Sequence, residues 1–290
     1  MKQLLKNRNV FFLILLFSIT FQQAQTYAAG LGKGKITQAD TAKFLLANFI
    51  IGNIVAWSMG AYPRSFEQTP YSQEELAYIR ELQQEIRTYP DEVEPKKDLA
   101  VIYFHHNDLD SADELLESAL ASDPNHAESL AVWGGTEAKS AGAMWDFTWG
   151  IWKLMRLDNA VEGLNRAVEL EPNNFNVRLF RLNTIEGMEG RRDSLPYAFL
   201  DEQWYREKTA KTLEFFPETV HMEFLDALVR LHLLHYESAA EEDREKSRQT
   251  AIDYFRQLKK LPVDKEEKET RIQNLTERFF RQRIPIDTTK

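Results

Sequence analysis

The residues of this sequence that could do chemistry are six histidines, an abundance of carboxylates, a run of tryptophans and a small group of arginines. His221, Asp226, His232 and His235 are of types that ligate metals, and His232 and His235 stand three residues apart. A zinc site needs three or four such ligands converging, and no H-E-x-x-H or comparable spacing supplies them. His235 instead continues the stripe Phe224, Leu228, Leu231, which puts it at the edge of a core. His105 and His106 are adjacent and so point to different faces of a helix. There is no G-x-S-x-G turn, no phosphate-cradling glycine loop and no dinucleotide fingerprint. The absence of cysteine excludes a thiolate nucleophile, thiolate metal ligands and disulfides. Carboxylates fall mostly on predicted solvent faces, where they keep the chain soluble. No metal, no cofactor and no enzymatic activity are expected.

Two groups are better suited to binding. Trp145, Phe147, Trp149 and Trp152 crowd one short stretch, with Met144 and Met155 beside them. At helical spacing Trp145, Trp149 and Trp152 share a face. Packing onto a neighbouring element is the expected role; the functional alternative is the apolar wall of a ligand or peptide site, since aromatic rings bring large contact area at low entropy cost. Arg178 and Arg181 flank Phe180, and guanidinium groups so placed can grip a carboxylate bidentately. Ion pairing to Glu186, Glu189 or Asp193 competes with that role and is the favoured reading.

The elements that must position these residues are helical. At the N-terminus, Lys2, Lys6 and Arg8 precede an apolar run from Phe11 to Phe21, and small residues follow at Ala28 and Ala29. This is the pattern of a secretory signal over residues 1–28, cleaved near Ala28, with a linker over 29–41. The whole chain carries a net charge of −9, and without its first 28 residues 33 basic side chains face 45 acidic ones. Such a surface repels phosphate backbones, so nucleic acid is excluded as a partner. Export without cysteine points to a bacterial periplasm rather than a eukaryotic secretory route. Phe44 to Ala61 has no charged residue. A membrane contact there is an open alternative, but burial among neighbouring helices is favoured.

Five prolines, Pro90, Pro124, Pro172, Pro217 and Pro262, each close a run of helical character, at spacings of 34, 48, 45 and 45 residues. From Val93 to His126 the pattern is clearest. Leu99, Ile102, Tyr103 and His106 share one face of a first helix; Asn107 to Asp110 make a turn; Ser111-x-x-Glu114 offers a capping box. Ala112, Leu115, Leu116, Ala119 and Leu120 then stripe a second helix that Pro124 ends. A second copy begins near Ala127, with Leu130, Trp133 and Gly134 in its first helix and Ala160, Leu164 and Ala167 in its second. Fourteen additional residues, the tryptophan-rich stretch, separate the halves. Degenerate copies place first helices at Phe175 to Met188 and Val220 to Tyr236, and second helices at Asp201 to Phe216 and Arg244 to Leu261. Upstream, Ala42 to Ala61 and Gln73 to Thr88 read as another pair.

Leu99, Ala100, Tyr103, Ala112, Leu116, Ala119 and Pro124 resemble the tetratricopeptide (TPR) repeat signature, with Lys96 departing at a usually aromatic position. The resemblance implies an all-α solenoid of helical hairpins with insertions over residues 42–262. Small residues at its close contacts keep paired helices together. Lys265 to Arg283, with Ile272, Leu275 and Phe279 on one side, would cap the stack within a C-terminal segment at 263–290. It also implies a function: a scaffold whose first helices line a concave surface that binds a protein or peptide partner in the cell envelope. The chain is less closely similar to the T-component of tripartite periplasmic transporters, which implies the alternative of a small-molecule receptor for an apolar ligand. That family is typically lipidated at a cysteine, and this chain has none.

Overall fold

The computed structural model describes residue 50 and residues 64–144, 151–188, 191–211, 216–262 and 265–286. The expected signal, the linker, and the first helix at Ala42 to Ala61 apart from Ile50 lie outside the described residues, as do Trp145, Phe147 and Trp149. Among the described residues the chain is all-helical, without strands, and no helix is long and apolar enough to cross a membrane.

Helix α1 (Gln73–Thr88) starts at a reciprocal cap. Ser72 Oγ accepts from the Glu75 amide at 3.1 Å, and the Ser72 amide donates to Glu75 Oε2 at 2.7 Å. The helix ends one residue before Pro90 would have to join it, since proline disfavours α conformation at the residue before it. Helix α2 (Glu94–His105) and α3 (Leu109–Ser122) form an antiparallel pair around a tight turn, in which Asn107 takes φ 61°. That left-handed residue reverses the chain early, so α3 starts right after Asp108 and Ser111 lies inside its first turn. The capping box expected at Ser111 and Glu114 is therefore not the start of this helix.

Helices α4 (Ala127–Ala143) and α5 (Ile151–Leu170) make the next pair. They are 17 and 20 residues long, against 12 and 14 for α2 and α3, so part of the insertion is helical. Two glycines set their separation. A Cβ on Gly134 would stand 2.8 Å from Leu164 Cγ and 2.9 Å from Ala160 O, and one on Gly163 2.9 Å from the Trp133 ring. The preceding pair uses Ala100 against Ala112 and Leu116 in the same relation, all three with no exposed surface.

Helix α6 (Phe175–Gly187) is capped by Asn174, whose side chain accepts from the amides of Asn176 and Val177. A 3₁₀ turn at Arg192–Ser194 leads into α7 (Leu195–Lys211). The latter begins six residues before the expected Asp201, because Pro196 in a first turn favours a helix start. Helix α8 (Glu218–Ser238) is buried over most of its surface, packing on α6, α7, α9 (Glu241–Lys260) and α10 (Lys265–Arg281). Leu275 and Phe279 anchor α10, with 1% and no exposure. One register recurs through the first helices. Ten residues after Pro90, Pro124, Pro172 and Pro217 stand Ala100, Gly134, Leu182 and Ala227, all buried.

The chain divides into two compact units. The larger comprises residues 68–138 and 159–290; the smaller, residues 1–67 and 139–158. Within the smaller one, the Arg64 amide donates to Gly142 O at 2.9 Å, and Lys139 Nζ lies 5.9 Å from the centre of the Phe66 ring. Burial holds the Lys139 amine down at about 8.

Candidate functional site

The residues of metal-binding type separate rather than converge. His221 Nδ1 lies 2.9 Å from the Tyr205 hydroxyl, and His235 Nδ1 2.6 Å from Ser247 Oγ. His232 Nε2 stands 3.1 Å from Glu202 Oε2, though out of line for a hydrogen bond, while Glu202 Oε1 accepts from the Tyr254 hydroxyl at 2.7 Å. Asp226 turns the other way, to arginines. Among the described residues no three potential ligands meet.

Arg178 and Arg181 do come together, on a partner that sequence reasoning missed. Both lie on α6 and reach Asp201, which α7 carries with no exposed surface. Arg181 donates to both Asp201 oxygens at 2.8 and 2.7 Å and to Asn165 Oδ1 at 2.9 Å. Arg178 adds a bond to Asp201 Oδ1 at 2.8 Å, another to Pro172 O, and lays its guanidinium 5.0 Å from the centre of the Trp204 ring. Burial pushes the Asp201 carboxyl up, and the two guanidinium groups pull against it. Of the expected alternative partners, Asp193 pairs with Arg191 and Glu186 joins the cluster described next, while Glu189 lies outside the described residues. Arg178 and Arg181 thus join α6 to α7. Trp152 belongs to the smaller unit, on α5, and is 48% exposed.

A cleft of about 920 Å³ opens in the larger unit between α8 and α10. Asp226, Arg230, Arg271 and Arg278 of its lining belong to an ionic network that also draws on α6. Arg230 donates to Asp226 Oδ2 at 3.1 Å and Asn183 Oδ1 at 2.6 Å, and pairs with Glu186. Arg278 reaches the other Glu186 oxygen at 2.9 Å. Arg271 donates to Glu223 at 2.9 Å and Glu267 at 2.8 Å, with Asp226 3.5 Å away. Burial opposes the charge on Arg271, yet these carboxylates outweigh it and hold the guanidinium above its ordinary value.

Helix periodicity places these groups. Glu223, Asp226 and Arg230 follow at i, i+3, i+7 on α8; Glu267, Arg271, Asn274 and Arg278 follow at i, i+4, i+7, i+11 on α10. Their signal in the sequence was the second stripe of α10, beside the Leu275 and Phe279 stripe. The rim is looser: Arg281 and Glu277 are 75% and 55% exposed and sit 3.4 Å apart. An exposed pair of this kind is worth little and exchanges readily for another partner. The lining holds no imidazole or amine, and its hydroxyl, Thr270 Oγ1, donates to Glu266 O at 3.1 Å. This chemistry suits recognition of a segment bearing charges of both signs. No protein-family model matches the chain, and no curated protein matches it.

Proposed function

We propose that this chain is a TPR-like scaffold, exported to a bacterial periplasm, that holds a segment of a partner protein along its first helices and in the cleft beside α10. The observation that carries the reading is the recurrence of one buried position, ten residues after each of four prolines, at Ala100, Gly134, Leu182 and Ala227. Recurrence of a close-contact position is what a stack of equivalent hairpins requires, because each pair must bury its face on the next. The pairing of α2 with α3, α4 with α5, α6 with α7 and α8 with α9 supports it. A solenoid presents its first helices as an extended binding surface, and the cleft offers exchangeable charges at one end of that series.

A photoreactive residue at Asn274, in the cleft, tests this against the same residue at Glu117, exposed on α3. In intact cells Asn274 should give an adduct of one defined mass, lost on Arg278→Glu with Arg281→Glu. Equal adducts from both positions, or none from Asn274, would refute the reading. Export is tested separately: the chain recovered from the periplasmic fraction should begin near Ala29. A chain retaining Met1 in the cytosol would overturn that part.

A further inference from the structure

Within the larger unit, α7, α8 and α9 meet at a cluster of titratable side chains that the cleft does not use. His232 and His235 stand about one turn apart on α8, and both set their rings edge-on to Phe199 of α7, with ring centres 5.6 and 5.1 Å away. His232 is 7% exposed, and among the described residues neither of its ring nitrogens makes an in-line hydrogen bond. Its Nε2 faces the buried Glu202 carboxylate of α7, whose other oxygen accepts from the Tyr254 hydroxyl of α9. Arg206 comes only within 4.0 Å of that carboxylate, from an exposed position. His235 closes on α9 through Ser247 Oγ, with Asp243 as the acid on that side, while Arg244 lies against the Tyr236 ring. Tyr205 of α7 holds His221, about three turns earlier on α8. The ion pairs that α6 and α10 make with α8 run to Glu223, Asp226 and Arg230, about 120–180° around the axis from His232.

We propose that this junction is an acid-opened joint, in which protons taken up at His235 and then at Glu202 release α9 from α7 and α8. The cluster holds two imidazoles around one buried carboxylate. A charge on His232 is matched by Glu202. A charge on His235 is not matched in the same way: burial and His232 both oppose it against the pull of Asp243, so this imidazole stays below its ordinary range. Burial also works against the Glu202 carboxylate, but His232 and Tyr254 outweigh it and hold the carboxyl below its ordinary range. Protonating Glu202 leaves a charged His232 buried without its counter-charge, which is costly. Both folded values lie below the unfolded ones, so the closed joint binds fewer protons than the open one. Its stability is therefore full above the unfolded histidine value of 6.5, falls first through His235, and falls again through Glu202 below 4.5. Release of α9 reaches the cleft, because the Phe255 ring of α9 lies 5.3 Å from that of Phe279 on α10. The joint itself rests on no reading of what the cleft holds.

Amide hydrogen exchange of the full chain, corrected for the intrinsic pH dependence of exchange, reads the joint helix by helix. From about pH 7.5 to about 5, protection in α9 should fall several-fold, while protection in α3 does not fall. His235→Gln, which can still bond Ser247, should remove most of that fall. Glu202→Gln fixes the carboxyl in its neutral form, so it should lower protection in α9 already at neutral pH and abolish the further loss below about pH 5. His106→Gln, a titrating histidine on another helix pair, should leave the α9 profile unchanged. Protection in α9 that stays flat or rises in acid overturns the proposal. So does a fall matched in α3, which means that the whole chain unfolds, or a fall that survives intact in His235→Gln. Should a variant fail to fold, the native profile of α9 against α3 decides.

Discussion

Replacing Gly134 by alanine tests the helix-pair register most directly. A new Cβ would stand 2.8 Å from Leu164 Cγ and 2.9 Å from Ala160 O. The leucine can rotate, but the carbonyl belongs to the α5 backbone and moves only with the helix. Alanine favours a helix interior over glycine by about 1 kcal/mol. Overpacking a close contact costs about 1–3 kcal/mol, and a backbone obstacle puts this case in the upper part of that range. The net expectation is a loss of about 1–2 kcal/mol, or a fall in Tm of roughly 2–8 °C for a unit of this size. Gly187→Ala is the matched control, because nothing lies within 4 Å of its Cβ position and Gly187 is the exposed last residue of α6. It should gain about 0.4–1 kcal/mol through the unfolded chain. Urea unfolding followed by far-UV circular dichroism reads both. If Gly134→Ala stabilises as much as Gly187→Ala, α4 and α5 are not held at this separation and the repeated register fails.

Three further outcomes follow from the buried polar groups and the terminal helix. Arg181→Met should cost about 3–5 kcal/mol by stripping two bonds from a fully buried carboxylate, and Arg181→Met with Asp201→Leu should recover part of it in denaturant titrations. His106 Nδ1 donates to the Thr69 carbonyl oxygen at 3.0 Å, and His106 Nε2 donates to Glu75 Oε1 at 3.0 Å. Burial opposes its charge, but Glu75 and the Thr69 carbonyl raise its pKa, while the capping bonds hold Glu75 down at about 2. A raised histidine stabilises below its unfolded value and loses that contribution as pH rises through the folded one; a lowered carboxyl stabilises above its unfolded value and loses it as pH falls. The Tm difference between the native chain and His106→Gln should thus peak between about 4.5 and 6.5 and shrink on either side. Phe279→Ala should cost about 3–5 kcal/mol and raise hydrogen exchange in α10 above that in α8, since this fully buried ring is one of its anchors.

The parts of the fold legible in the sequence were those with strong local chemistry. Helix α1 runs from Gln73 to Thr88 as read, because a polar cap precedes it and a proline follows. Helix α3 was misread at its start because Ser111-x-x-Glu114 matches a cap in composition, whereas a left-handed Asn107 decides where the chain turns. Helix α7 was read six residues short, and this mattered for the site. With its start at Leu195, Asp201 is interior and can be buried against α6; with a start at Asp201 it is an exposed first residue. The partner of Arg178 and Arg181 was hidden by a helix boundary, not by any weakness in the arginine pattern itself. The α8–α10 cleft was invisible for another reason: its residues come from helices 92 positions apart at the widest, as Glu186 and Arg278 are.

On the hairpin-stack reading proposed above, the same positions account for the weaker signature of the later copies. Nine residues after the four prolines stand Leu99, Trp133, Arg181 and Asp226. The first two pack on apolar neighbours; the last two make ion pairs, Arg181 with Asp201 and Asp226 with Arg230. The adjacent tenth position stays buried throughout, while the residue beside it changes from apolar to charged. A buried ion pair gives little net stability compared with a packed hydrophobic residue of its size. Charge at this position is then better explained by what it does to the neighbouring surface. At Asp226 it links through Arg230 and Glu186 to the half-exposed Arg278 at the cleft, while Arg181 stays with Asp201 between α6 and α7. At Asp226, the departure from an apolar ninth residue and the supply of charge to the cleft are thus one substitution with two effects.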